Sequence, residues 1–146
     1  MTDQAMTSNS GPGYAKRPGY RIELVPAGKR VQVFFNGECV ADSVDALQML
    51  EENHPPVTYF PPADVTMALL RRTGHATHCP FKGDASYWSL DAGGQSSDNA
   101  VWSYQAPCDE AAPIKGYLAF YRDRMEAWFE DGEVVFDAVR DGEKNR

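Results

Sequence analysis

The chain has 146 residues, 42% of them hydrophobic and 24% charged, and its formal net charge is −7 at pH 7. This length fits one domain with an ordinary apolar core. The negative charge argues against nucleic acids and anionic membranes as partners, because both attract clustered Lys and Arg. No segment approaches the roughly 20 apolar residues of a membrane span, and no signal pattern is visible, so we expect a cytoplasmic protein.

The cysteines favour reduced thiols over a disulfide framework. Cys39, Cys79 and Cys108 are an odd number and show no CxxC spacing, whereas disulfide frameworks use even counts in secreted chains. His75 and His78 could join Cys79 and a distant cysteine as zinc ligands, but this spacing fits no standard structural site. We therefore predict no metal and no cofactor.

Both ends of the chain differ in composition from its middle. Residues 1–18 are rich in Ser, Gly and Pro and show no apolar period, which predicts a disordered N-terminal tail. Residues 137–146 are charged and equally unpatterned, which predicts a C-terminal tail. The folded domain is therefore expected to span residues 19–136.

Period-two alternation predicts the strands of the first half. The segment 20–24 alternates apolar and polar residues. The segment 31–41 predicts a hairpin, because Asn36-Gly37 suits the two positive φ angles of a type I′ turn. A short strand is predicted at 57–60, closed by a proline pair.

One substantive helix is predicted over residues 64–72. Its apolar residues share one face, Asp64 favours the positive end, and two arginines favour the negative end. Gly74 is the expected C-terminal cap. The segment 45–52 has leucines at helical spacing but ends quickly at prolines, so it is either a turn of helix or an irregular strand.

The second half again predicts short strands. Segments 86–90 and 100–104 are strands joined by a Gly/Ser-rich loop, and 114–121 with 125–129 forms a second hairpin. An edge strand is predicted at 133–136. Together these elements predict a mainly β fold: a small antiparallel two-sheet domain, either a sandwich or a partly open barrel, with one short helix.

Five segments stand in a characteristic order: GECVADS at 37–43, YFPPADV at 59–65, THCPFKGDASYW at 77–88, WSY at 102–104 and IKGYLAFY at 114–121. Together they resemble the domain-of-unknown-function family 427 (DUF427), also labelled a nucleotidyltransferase-like domain. The resemblance implies a β-tent-like fold, similar to that of methionine sulfoxide reductase B. The paired CxxC zinc motifs of such relatives are missing here, and the resemblance implies no established reaction.

The segment 77–88 concentrates a thiol, an amine, a carboxylate and aromatic rings in one short span. Apolar walls with a few convergent polar groups are what a ligand pocket needs. We therefore expect binding of a small aromatic or anionic molecule, with Lys82 as its charge partner. The polar tips of tyrosine and tryptophan favour a cavity rim, and the expected walls are Tyr59, Tyr87, Trp102 and Tyr104.

An enzyme is the alternative expectation. Cys79 is a candidate nucleophile because His78 and Lys82 lie close in sequence and cations lower a thiol pKa. A nucleotidyltransferase-like activity, which the family label implies, would need carboxylates such as Asp64 or Asp84 to hold Mg²⁺. Purely structural interpretations of these residues stay open. In them, Cys79 is a small buried residue, Asp64 is the anion at the N-terminus of the predicted helix, and Lys82 is a solvated turn residue.

Overall fold

The structure is a computed structural model that describes residues 9–144, with side chains described for residues 9–141. The strands are β1 Ile22–Pro26, β2 Val31–Phe35, β3 Glu38–Ser43, β4 Leu47–Glu51, β5 Val57–Tyr59, β6 Leu70–Cys79, β7 Gly83–Ala92, β8 Gln95–Tyr104, β9 Leu118–Phe120, β10 Ala127–Glu130 and β11 Glu133–Asp137. Short 3₁₀ helices lie at Pro12–Ala15, Pro62–Asp64, Met67–Leu69, Asp109–Ile114 and Arg122–Arg124, and α1 is Ala138–Lys144. Within the described chain, no helix has the length and apolar character needed to cross a bilayer.

The strands form three antiparallel sheets. Sheet A has the order β1-β4-β5, sheet B β11-β10-β2-β3, and sheet C β6-β7-β8-β9. The expected mainly antiparallel β domain is confirmed, but it contains three sheets rather than two. Sheet C is the central one, because apolar clusters cover both of its faces.

The larger apolar cluster lies between sheets B and C. Val33 of β2 and Trp128 of β10 meet Leu90 of β7 and Val101 of β8, with Phe60 beside them. All five residues are buried. Burial of such side chains contributes roughly 1.5–3 kcal/mol each, so this cluster is the main core.

The smaller apolar cluster lies between sheets A and C and contains most of the predicted site residues. Met49 of β4 and Tyr59 of β5 face Tyr87 of β7 and Tyr104 of β8, and Ile114 closes one side. This layer, here called the tyrosine layer, contains Tyr59, Tyr87 and Tyr104, so it carries hydroxyl groups that the larger core lacks.

The predicted hairpin at 31–41 is confirmed. Asn36 has φ 47° and Gly37 has φ 82°, and β2 pairs with β3 on either side of them. The strands predicted near 20–24 and 57–60 correspond to β1 and β5. The segment 45–52, left open between helix and strand, forms β4.

The helix predicted over residues 64–72 is wrong. Only single 3₁₀ turns occur at Pro62–Asp64 and Met67–Leu69, and from Leu70 the chain becomes β6. Strand β6 pairs with β7, for example Arg72 with Trp88. The apolar face of the expected helix was short, and pairing with a long neighbouring strand outweighs such weak local preference. The α-helix lies instead at Ala138–Lys144.

Two predicted connections are also wrong. The Gly/Ser-rich loop after 86–90 is a two-residue turn at Gly93-Gly94, so β7 and β8 are longer than expected. The segments 114–121 and 125–129 do not pair with each other, because β9 pairs with β8 while β10 pairs with β2. The chain passes from sheet C to sheet B through Arg122–Arg124, and local patterning cannot specify this change of partner.

The ends make defined contacts where the structure describes them. Residues 9–18 of the predicted N-terminal tail contact the domain, as in the hydrogen bond from Gly13 N to Pro80 O at 2.9 Å. Residues 1–8 lie outside the described residues. Strand β11 lies at the edge of sheet B, as predicted, and leads into α1, whereas residues 145–146 lie outside the described residues.

Candidate functional site

Tyr87 and Trp102 lie directly opposite each other on β7 and β8. Antiparallel partners point to the same face of a sheet, and this face turns toward sheet A. The Tyr87 hydroxyl lies 3.0 Å from Thr77 Oγ1, and the His75 ring lies 4.5 Å from the Tyr87 ring. The predicted antiparallel pairing of the two strands therefore brings two of the candidate rings together.

Trp102 links the two sheets through Tyr59. Its Nε1–H donates to the Tyr59 hydroxyl at 3.3 Å, and the two rings pack edge to face at 6.3 Å. Tyr59 is 1% exposed, and burial raises the pKa of its hydroxyl. Tyr59 is therefore a packed neutral phenol rather than an open pocket wall, whereas Trp102 is half-buried.

Tyr104 contributes another phenol to this layer. The residue is buried, and burial, with the nearby Tyr59, Cys79 and Tyr87, raises the pKa of its hydroxyl. These neighbours place the polar ends of three tyrosines and the Cys79 thiol in one region. Lys82, Tyr87 and Tyr104 do not line the five clefts of about 250–390 Å³ that open among residues 9–141.

Lys82 is held by a carboxylate that the sequence did not suggest. Its Nζ lies 2.7 Å from Glu51 Oε1, and the side chains are 15% and 8% exposed. The Tyr20 hydroxyl donates to the other Glu51 oxygen. Burial raises the pKa of Glu51, but the hydrogen bonds from Lys82 and Tyr20 lower it more, so the pKa lies below its usual value. Lys82 is therefore locally neutralised.

Cys79 and His78 do not form a catalytic pair by the contacts of this structure. His78 Nδ1 lies 2.6 Å from Asp84 Oδ1 on the exposed side of the strand pair, while Cys79 packs against the tyrosine layer. Neighbouring residues of a strand point to opposite faces, which explains the separation. The bonded partner of His78 is thus a carboxylate, not the thiol.

The two candidate carboxylates have different surroundings. Asp64 accepts a hydrogen bond from Ser43 Oγ of β3 at 2.6 Å, whereas Asp84 contacts His78 between β6 and β7. Within residues 9–141, no group of three or more His, Cys, Asp or Glu side chains is arranged to hold a metal ion. Asp64 and Asp84 therefore have no hydrogen-bond partner in common that would bring their carboxylates together around Mg²⁺.

A cleft of about 250 Å³ opens on the outer side of Trp102. Trp102 and Tyr121 form one aromatic wall, with ring centroids 4.6 Å apart. Arg122 lies over the Trp128 ring, with its Cζ 4.8 Å from the centroid. The cleft continues into a hollow of about 380 Å³ lined by Gln48, Pro55, Pro56 and Arg122.

Arg122 is a cation without a carboxylate partner among the described residues. Among residues 9–141, no Asp or Glu oxygen lies within salt-bridge distance of its guanidinium. By contrast, Arg30 binds Asp42 at 2.7 Å and Arg71 binds Asp91 at 3.0 Å. Sequence reasoning missed Arg122 because it treated residues 122–124 as a hairpin turn, and no sequence pattern marks which arginines lack a carboxylate partner.

The comparison with known families agrees with the resemblance seen in the sequence. A family model described as "Domain of unknown function (DUF427)" matches residues 23–131. The match covers most of the chain, so the chain belongs to this family. No curated protein matches the chain. The β-tent relationship stays a prediction from the resemblance.

Proposed function

We propose that the chain binds a small aromatic anion in the cleft between Trp102 and Arg122. The observation that carries this proposal is the guanidinium of Arg122, which lies over the Trp128 ring and has no carboxylate partner among the described residues. An arginine stacked on an aromatic ring is held in place and keeps its donors free for a carboxylate or phosphate. The cleft is therefore prepared for an anion.

The aromatic wall supports a ring as the other half of the ligand. Trp102 and Tyr121 line the cleft together with Pro55 and Val57. Tyr121 is 37% exposed, so a bound ring would cover apolar surface that water now contacts. Each buried Å² of such surface contributes about 25 cal/mol. A single ring with one anionic group fits a cleft of about 250 Å³.

Lys82, expected from the sequence to be the charge partner, does not take that role in this proposal. Its amine is 2.7 Å from Glu51 Oε1, so an anion would have to displace a carboxylate of the chain itself. Arg122 instead supplies the positive charge that binds the anionic group of the ligand. Tyr59, Tyr87 and Tyr104 then act as the packed layer behind Trp102.

The test compares matched ligands that differ only in charge. We expect 4-hydroxybenzoate to quench tryptophan fluorescence and raise the Tm, and neutral 4-hydroxybenzamide to bind about tenfold more weakly, since a charged hydrogen bond contributes roughly 1.5–3 kcal/mol. AMP and adenosine form a second pair. A ligand at 100 times its Kd stabilises the protein by about 2.7 kcal/mol.

Two arginine variants complete the test. Arg122→Gln should remove the preference for the anion, whereas Arg30→Gln, which breaks a pair with Asp42 on sheet B, should keep it. Equal affinity for the charged and neutral ligands, or equal effects of the two substitutions, would contradict the proposal.

A thiol-dependent reaction at Cys79 is the second candidate function. It is supported by the place of Cys79 beside the tyrosine layer and one turn before Lys82. It requires iodoacetamide to label Cys79 much faster than Cys39 near neutral pH, because only the thiolate reacts. Nucleotidyl transfer would require Mg²⁺-dependent release of pyrophosphate that Asp64→Asn or Asp84→Asn abolishes. Slow, equal labelling and no pyrophosphate would remove both enzyme alternatives.

A further inference from the structure

Residues 9–18, here called the strap, lie across the turn that follows β6 and the 3₁₀ helix that follows β8. The Asn9 backbone N–H donates to Asp109 Oδ2 at 2.9 Å, and the Asp109 N–H donates back to Asn9 O at 3.0 Å. The Gly11 N–H donates to Glu110 Oε1 at 2.9 Å. The Asn9–Asp109 contact is exposed and the Gly11–Glu110 contact is part-buried, and contacts of this kind open more readily than a packed core does.

At two glycines the strap lies so close to the domain that a side chain would not fit. A Cβ on Gly11 would lie 2.7 Å from Pro80 O, and a Cβ on Gly13 would lie 2.7 Å from a carbon of the Phe81 ring. Glycine permits this close approach because it lacks a Cβ. The two glycines therefore set the position at which Tyr14, the residue after Gly13, packs against the domain.

Tyr14 fills a slot, defined here as the space against the rings of Phe81 and Tyr20. Its ring packs edge to face on Phe81, with centroids 5.1 Å apart, and lies 6.4 Å from the ring of Tyr20. Tyr20 and Phe81 in turn stack at 3.9 Å. Edge-to-face and stacked rings at these distances attract each other beyond their buried area. The slot is therefore shaped for a flat six-membered ring.

The inner end of the slot disfavours negative charge. Burial, then the carboxylates of Glu110 and Glu51, and then the thiols of Cys108 and Cys79, raise the pKa of Tyr14. Two positive groups of this region are already paired, since Lys82 binds Glu51 and Arg17 binds Glu52, each at 2.7 Å. A neutral or cationic group is therefore favoured where the Tyr14 hydroxyl now lies.

The slot is connected to solvent. A cleft of about 390 Å³ runs beside Gly13 and Phe81, with Lys16 and Arg17 at its border. A small aromatic molecule thus has a route to the ring of Phe81, which lines this cleft, once Tyr14 leaves. This site is separate from the Arg122 cleft, because the two share no lining residue.

We propose that the slot of Tyr14 is a second binding site, for a small neutral or cationic aromatic molecule, and that Tyr14 is its internal occupant. A ligand would take the place of the Tyr14 ring against Phe81 and Tyr20, and the strap would be released. Ligand binding and strap release are then one event. The Arg122 cleft and the strap site differ in charge preference, since Arg122 favours an anion and the strap site does not.

The first test empties the slot in the full-length protein. Tyr14→Ala removes the ring and keeps the backbone contacts of the strap. We expect this variant to bind 4-methylphenol and 4-methylbenzylamine at least about tenfold more tightly than the unsubstituted chain, in which a tethered ring competes at millimolar effective concentration. The anion 4-methylbenzoate should bind at least about tenfold more weakly than 4-methylphenol, because of the nearby carboxylates.

The second test releases the strap itself and reads the result at Cys108. The strap contacts the residues on both sides of Cys108, since Asn9 Nδ2 donates to Pro107 O and Asn9 pairs with Asp109. Gly13→Val should make iodoacetamide label Cys108 faster, relative to Cys39 in the same sample. Gly19→Val is the matched control, because nothing lies within 4 Å of a Cβ at Gly19, and it should leave the labelling unchanged.

Each outcome decides for or against the proposal. Adding 4-methylphenol to the unsubstituted chain should also speed labelling of Cys108, because it displaces the strap. The proposal is overturned if Tyr14→Ala binds none of the three probes, if it binds 4-methylbenzoate as well as 4-methylphenol, or if Gly13→Val labels like Gly19→Val. Binding of 4-hydroxybenzoate that needs Arg122 should persist in Tyr14→Ala, so failure of one site is distinguishable from failure of the other.

Discussion

Lys82 and Glu51 form an ion pair of 2.7 Å that joins the turn before β7 to the end of β4. The ammonium also lies 6.0 Å from the centroid of the Tyr104 ring. The pair connects sheet A to sheet C across the tyrosine layer. A lysine that the sequence offered as a ligand's partner is therefore a structural link between two sheets.

Breaking this pair should cost more than breaking an exposed one. Glu51→Gln leaves a mostly buried ammonium without a counter-charge, and we expect a loss of about 2 kcal/mol in the free energy of unfolding, which urea denaturation measures. Glu52→Gln is the adjacent control, because the Arg17 side chain that it faces is 55% exposed, and it should cost much less. Equal losses for the two variants would show that the Lys82 pair contributes no more than a surface contact.

The same carboxylate predicts a pH dependence. The pKa of Glu51 is lower in the folded chain than its usual value of 4.5, since Lys82 and Tyr20 outweigh the effect of burial. A lowered pKa in the folded state adds stability above the unfolded value, and this stability is lost as the pH falls through the folded value. We expect the Tm difference between the unsubstituted chain and Glu51→Gln to shrink as the pH drops below 4.5. A difference that stays constant down to acidic pH would contradict this assignment.

Two tryptophans should respond oppositely to the loss of their N–H group. Trp102 Nε1 donates to Tyr59 at 3.3 Å, while Trp128 Nε1 is buried with no partner among the described residues. Replacing the N–H by sulfur, with 3-benzothienylalanine at one position at a time, keeps the shape of the ring. We expect a loss of about 1 kcal/mol at position 102 and no loss, or a gain, at position 128. Thermal unfolding of the two singly substituted chains measures the contrast.

Substitutions at two glycines with open surroundings test the backbone conformations of these positions. A Cβ at Gly37 or at Gly74 would meet nothing within 4 Å, but only Gly37 has a positive φ, of 82°. Gly37→Ala should therefore destabilise the chain by about 1 kcal/mol, and Gly74→Ala should be neutral or stabilising. A large loss at Gly74 would instead favour the helix cap that the sequence suggested.

The sequence predicted best where the determinants are local. The hairpin at Asn36-Gly37 depends on two adjacent residues that tolerate positive φ, and it formed as expected. The pairing of the two strands that carry Tyr87 and Trp102 was also expected from segments on either side of one connection, whereas the register that sets the two rings opposite each other comes from the structure. Alternation and turn residues act over a few positions, so a single sequence is enough to read them.

The sequence failed where a distant segment decides. Strand β6 exists because β7 pairs with it, although residues 64–72 favour a helix by local pattern. The partner of Lys82 is Glu51, on another sheet, and no spacing rule connects the two positions. Arg122 became a site residue only because Trp128 lies beneath it and no Asp or Glu oxygen of residues 9–141 lies within salt-bridge distance of it. Only the structure therefore shows which charged side chains of the site form ion pairs and which do not.

The pairing of β10 with β2, which sets Trp128 opposite Val33, also bears on how the chain is made. Ribosomes add roughly 5–20 residues per second, so the β2–β3 hairpin emerges several seconds before Ala127 does. During that time the free edge of β2 presents unpaired N–H and C=O groups, which attract other strands. A late part of the chain therefore completes the sheet that an early part begins, and a nascent chain halted before Ala127 keeps this edge of β2 exposed to other strands.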